Sequence, residues 1–165
     1  MLDLGQRTVR STRAAGALAL VIALGAGAAA APAWRGGDPC ALLPARELTR
    51  VLGRPFAAPQ SNPYPPALHG GVPGTRCMYK SQTGHQTVTF VVYTDASATV
   101  ARDTLNKLKA FFTPQPASAG VGDDSYLDKY HAIHVRQGAV RYFISTDGGS
   151  TAQSKDLGNS VARRL

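Results

Sequence analysis

Cysteine is scarce in this chain: Cys40 and Cys77 are the only two. Two thiols cannot build a disulfide-dense scaffold. Without a C-x-x-C pair or a companion pair of histidines, they match neither a dithiol redox motif nor a zinc site. Charged residues are also few, at 17%, against 44% hydrophobic residues. That mixture excludes intrinsic disorder and a coiled coil. Long apolar runs are almost missing, since only residues 14–31 form one, so a polytopic membrane protein is excluded. Aromatics stand at 7% and never interleave with a basic stripe, which removes the footprint of nucleic-acid binding. The length of 165 residues suits one domain.

The single apolar run has the form of an export signal. Arg7, Arg10 and Arg13 make a basic start, residues 14–31 contain only Ala, Leu, Val, Ile and Gly, and Ala31-Pro32-Ala33 is an A-x-A cleavage pattern. The expected division is a signal peptide at 1–33, a short leader at 34–37 and one domain at 38–165. An uncleaved N-terminal anchor is the alternative, because the run is just long enough to span a bilayer. No cysteine lies near the end of the run to carry a lipid, and no Arg-Arg pair precedes it to suggest the twin-arginine route. Both versions place the domain outside the cytoplasm, periplasmic or secreted, with membrane contact only through the N-terminal segment.

Three arginines and Asp3 give that segment +2 of the net +8, leaving +6 on residues 34–165. A basic exported domain is drawn to anionic envelope surfaces or acidic partners. Because the charges are scattered along the chain, the sequence favours plain solubility instead. In an oxidising compartment an even pair of cysteines forms one disulfide, so Cys40–Cys77 is expected as a structural bridge stabilising the fold by about 4 kcal/mol.

Asp38-Pro39 opens a helix, with Asp as N-cap and Pro in the first turn. Leu42, Leu43, Leu48, Val51 and Leu52 form its apolar stripe, Pro44 starts a second helical stretch, and Gly53 stops it. The six prolines and three glycines of 55–75 predict an irregular loop. Strands are expected at 76–80 and 87–93, the second with Val88, Phe90 and Val92 on one face. Asp95 would cap a helix running to about Phe112, ended by Pro114 and Pro116. A turn at Gln137-Gly138 would then pair Val135 with Val140, Ile133 with Tyr142, His131 with Ile144, His134 with Arg141 and Arg136 with Ala139. Thr151 would cap a last helix carrying Leu157, Val161 and Leu165. The order α-β-β-α-β-β-α predicts an α+β fold, an antiparallel sheet with helices packed on one face. A weak helix–strand–strand echo links 38–93 to 95–145.

Asp38-Pro39-Cys40-Ala41-Leu42-Leu43, Cys77-x-Tyr79 and Gly120-Val121-Gly122-Asp123 occur in that order, with Glu47 and Val51-Leu52-Gly53 between the first two. In this the chain resembles a bacterial exported domain family of unknown function, often lipid-anchored, over residues 38–165. The resemblance implies an α+β fold and a bridge between the matching cysteines, and it supplies no catalytic residue. Two positions depart from the pattern: the lipid-attachment cysteine is missing, and Leu43 stands where Thr or Ser commonly precedes the proline of the second helix.

Candidate chemistry is thin. On a strand, His131 and His134 would point to opposite faces and could not share a metal ion. His134 beside Arg141, with Arg136 near, could receive an anion or a carboxylate from a partner. Asp123-Asp124 lacks the further carboxylates of a calcium cage. His69-Gly70-Gly71 resembles an esterase oxyanion loop, but no G-x-S-x-G turn accompanies it. Gly148-Gly149-Ser150-Thr151 reads as a turn and cap, because no phosphate-loop Lys follows. No metal and no cofactor is called for. The expectation is a non-enzymatic module that binds an envelope protein or a small ligand. The alternatives are a small periplasmic hydrolase using His134 or His69, and an inhibitor- or immunity-type protein docking through its sheet face.

Overall fold

The computed structural model describes residues 37–65, 72–112 and 119–165. The export segment, the His69-Gly70-Gly71 motif and the Pro114/Pro116 helix stop lie outside those residues. Asp38 starts the fold as expected: its carboxylate accepts the Cys40 N–H at 2.9 Å and caps a 3₁₀ turn, Pro39–Leu42. Helix α1, Ala45–Leu52, follows from Pro44 without a side-chain cap, and Gly53 closes it at φ 70°. Leu43, in the place of a capping hydroxyl, is fully buried in the core.

Among the described residues, six strands build one antiparallel sheet: β1 Gln60–Tyr64, β2 Gly74–Lys80, β3 Thr87–Thr94, β4 Asp124–Leu127, β5 Ile133–Gln137 and β6 Val140–Thr146. Helix α2, Ala98–Phe112, separates β3 from β4, and α3, Thr151–Ala162, ends the fold. The spatial order β1-β2-β3-β6-β5-β4 makes two three-stranded meanders joined through β3 and β6. The α+β class and the alternation of helices with strand groups are those expected, with one further strand in each half, β1 and β4. The echo between the two halves is one of architecture, a helix followed by a meander in each.

Four details differ from the sequence reading. Residues 60–64, assigned to a loop, form the edge strand β1, where Pro63 is tolerated because, among the described residues, β1 pairs with β2 alone. The β5–β6 turn is Gly138-Ala139, with Gly138 at φ 58°, the sign a type II′ turn needs at its first central residue. The register therefore slips by two: Val135 faces Tyr142, Ile133 faces Ile144, Arg136 faces Arg141, and His134 faces Phe143 rather than Arg141. A slip of two preserves the faces, so the apolar side stays apolar. Finally, Ser97 rather than Asp95 caps α2, accepting the Val100 N–H at 3.2 Å, and Ser150 rather than Thr151 caps α3 through a capping box with Gln153.

The helices do not share one face. The 3₁₀ turn, α1 and α3 bury Leu42, Leu43, Leu48, Leu52, Leu157 and Val161 against Tyr79, Val88, Phe90, Ile133, Tyr142 and Ile144. Helix α2 covers the opposite face, where Leu105, Leu108 and Phe112 meet Tyr126 over β5 and β6. That second face carries Val91, Tyr93 and Phe143 beside its polar residues, enough apolar surface to hold an amphipathic helix.

Candidate functional site

The bridge between Cys40 and Cys77 is present, with Cα atoms 5.5 Å apart and both residues buried. It ties the first helical turn to β2. Tyr79, two residues beyond Cys77 and on the same sheet face, donates its hydroxyl to the Leu43 carbonyl at 2.5 Å, with the Cys40 carbonyl at 3.3 Å. Those are carbonyls at the end of the 3₁₀ turn that the cysteine tethers. Burial pushes the Tyr79 phenol far above its ordinary range and keeps it a donor. The Cys-x-Tyr motif is thus two locks on one turn.

The Gly-Val-Gly-Asp motif is a third lock. Gly122 sits at φ 62°, and a Cβ there would lie 2.7 Å from the Arg136 carbonyl oxygen and 2.8 Å from Val135 Cγ1. The Asp123 N–H donates to that same carbonyl, and the Asp123 carboxylate accepts the Gly138 N–H at 2.8 Å and Arg136 Nη1 at 2.9 Å. The motif pins the tip of the β5–β6 hairpin. Each short motif behind the family resemblance therefore has a structural explanation here.

His134, Arg141 and Arg136 lie on the α2 face, and each is engaged by a carboxylate of the same domain. His134 is 6% exposed and lies parallel to the Tyr126 ring at 4.5 Å, with Phe143 at 5.4 Å and Phe112 at 5.7 Å. Its Nε2 is 3.2 Å from Asp128 Oδ2, while Asp128 Oδ1 accepts the N–H groups of Tyr130 and Ala132. Burial works against ionisation of Asp128, but these hydrogen bonds outweigh it and hold its carboxyl below the usual range. With Asp128 ionised, His134 carries its proton on Nε2 and donates it.

Arg141 is not beside His134 across a strand pair. Its guanidinium donates from Nε to Asp95 Oδ2 at 2.5 Å and from Nη2 to Oδ1 at 3.1 Å, and lies 4.9 Å over the Tyr93 ring. Both side chains of this pair are buried, at 2% and 0% exposure. His134 and Arg141 do line one cavity, together with Leu105 and Leu108 of α2, Tyr93 and Phe143. At about 10 Å³ it is at the lower limit for a single water. The positive charge of Arg136 is met by Asp123.

His131 lies apart, in the turn before β5 at φ 63°, with Nδ1 at 3.1 Å from Thr151 Oγ1. Ile133 takes the position facing Ile144 that was expected for His131. Among the described residues, no group of three or more His, Cys, Asp or Glu side chains converges on a point. Lys109 holds Asp124 at 2.7 Å, so that acid belongs to an α2–β4 ion pair.

Sequence reasoning missed Asp95 and Asp128 as partners of Arg141 and His134. It also missed the pair Glu47–Ser160 between α1 and α3. The signal for Asp95 was its place just beyond Val92 and Tyr93, which are apolar on both faces near the end of β3. For Glu47 it was the position between apolar residues on the inward side of α1. No known protein-family model matches this chain, and no curated protein shows significant similarity to it.

Proposed function

We propose that the protein is an exported cell-envelope module that works by binding rather than by turnover. One observation carries this reading: the three charged side chains of the α2 face that the sequence singled out each meet a carboxylate of the same domain, His134 on Asp128 and Arg141 on Asp95 in the interior and Arg136 on Asp123 at the surface. They order the fold and leave recognition to the outer surface. The Cys40–Cys77 bridge supports an oxidising location. The apolar segment at 14–31 and the resemblance to an exported domain family point the same way.

The competing hydrolase reading rests on the His134–Asp128 pair, an imidazole oriented by a carboxylate. For chemistry it needs a hydroxyl or thiol beside the imidazole and room for a substrate. The surroundings of His134 are Tyr126, Phe143 and Phe112 under α2. An inhibitor-like protein that docks a target is a narrower version of the binding reading. The test is an ester, amide and phosphoester hydrolysis panel on the exported protein, with His134→Gln and His69→Ala controls. No turnover above background is expected; turnover lost in either variant that remains folded would overturn the reading.

A further inference from the structure

The basic residues look scattered along the chain, but the fold gathers a group of them on one surface. Helix α1 places Arg46 and Arg50 one turn apart on the side away from the core, both exposed. Helix α3 packs along α1 and is followed at once by Arg163 and Arg164, also exposed. Between the helices sits Glu47, buried at 9% exposure.

Glu47 organises the group. Its Oε1 accepts Arg50 Nε at 3.1 Å, Arg50 Nη2 at 2.6 Å and the Ser160 hydroxyl at 2.5 Å, while Arg164 Nη2 stands 3.8 Å from Oε2. Arg164 Nη1 also donates to the Ser160 carbonyl at 2.6 Å, and Arg163 Nη2 reaches Ser160 Oγ at 3.5 Å. The Arg50 hydrogen bond, then that of Ser160, holds the Glu47 carboxyl down at about 2. It therefore remains a fixed anion, spent on orienting guanidiniums. Asp156 on α3 acts on Arg50 as well. Four arginines against these two acids leave the seam at +2, with the Arg50 side chain 60% exposed.

From this we infer that the α1–α3 seam is a docking surface for an anionic phospholipid membrane, with the guanidiniums of Arg46, Arg50, Arg163 and Arg164 meeting lipid phosphates. Arginine forks match phosphate oxygens, and basic clusters are drawn to anionic leaflets. The chain's layout favours a membrane as the source of those phosphates. The apolar run ends at Ala31, and the first turn of the domain, at Pro39, leads directly into α1. Only seven residues separate Ala31 from Pro39, so an N-terminal segment held in the bilayer would keep α1 and the α3 end packed beside it close to the membrane surface. The inference rests on reading the protein as a surface-binding module, and it extends membrane contact beyond the N-terminal segment.

The experiment is co-sedimentation of the exported protein, as isolated, with phosphatidylglycerol-containing vesicles and with neutral phosphatidylcholine vesicles. Arg46→Gln/Arg163→Gln removes two charges and leaves Arg50 and Arg164 to hold Glu47. Lys107→Gln/Lys129→Gln removes two exposed charges elsewhere. Salt-sensitive binding to the anionic vesicles is expected, weakened about twenty-five-fold by the arginine pair, at about fivefold per charge, and less than about threefold by the lysine pair. Circular dichroism and an intact disulfide identify a variant that has merely lost its fold, and Arg46→Lys/Arg163→Lys should then restore binding. Equal losses for both pairs, equal binding to neutral vesicles, or binding to soluble polyphosphate but not to vesicles would overturn the inference. Because the hydrolysis panel uses other residues, failure here and failure of the binding reading are told apart.

Discussion

Removing Asp95 should damage this protein more than almost any other single change to a charged residue. Its carboxylate is fully buried and takes two hydrogen bonds from Arg141, whose guanidinium is 2% exposed and rests on Tyr93. In Asp95→Ala the guanidinium stays charged, because arginine does not give up its proton in proteins. It must then remain buried without its counter-charge or drag β6 and α2 apart to reach water. Breaking one side of such a pair costs about 3–5 kcal/mol, while replacing both members with apolar residues of similar volume is close to neutral. Asp95→Leu/Arg141→Met should therefore recover most of the loss. Urea unfolding at neutral pH under non-reducing conditions measures both, with the m value reporting whether the transition stays two-state. A loss below about 1 kcal/mol for Asp95→Ala, or a double variant as unstable as the single one, would refute the claim that this pair is desolvated.

Three more outcomes can be checked in the same way. Cys40→Ser/Cys77→Ser should lower stability by about 4 kcal/mol for a sequence separation of 37, read from the shift in urea midpoint against the oxidised parent. Gly122→Ala should cost about 2–4 kcal/mol, since the added methyl meets backbone at a positive φ, whereas Gly84→Ala meets nothing within 4 Å and should show only the smaller conformational cost. Glu47 titrates from 4.5 down to about 2 on folding, so its contribution is complete above pH 4.5 and is lost as pH falls through about 2. Glu47→Gln should flatten that part of an acid-unfolding curve and leave the part owed to Asp128; an unchanged curve would contradict the clamp.

Much of the fold was legible because its signals are local. Asp38-Pro39, Gly53 and the alternation in β3 act within a few residues of themselves, and all three behave as their chemistry requires. The β5–β6 hairpin was half legible: alternation fixed which side chains face inward, but Gln137-Gly138 and Gly138-Ala139 differ by a shift the pattern cannot register. Asp95 illustrates the opposite case. Its helix-capping chemistry is plausible on its own, yet a buried arginine 46 residues away takes its carboxylate. The same holds for His134, whose carboxylate partner comes from the turn before its own strand. Local propensity has no access to such pairings, so the charged groups looked available when the fold had already used them.

The joint between β3 and β6 has a consequence for how the chain matures. On the proposed export route the chain would emerge from its N-terminus, so Cys77 would appear with β2, while β6 would be the last of the six strands to arrive. Until then β3 presents a bare edge from Val88 to Thr94, the stretch that later pairs with residues 140–146. A covalent tie already closed between Cys40 and Cys77 would keep the first meander folded against its helix while that edge waits. The bridge sits in the half of the sheet that comes first in the chain and would wait longest for its partner.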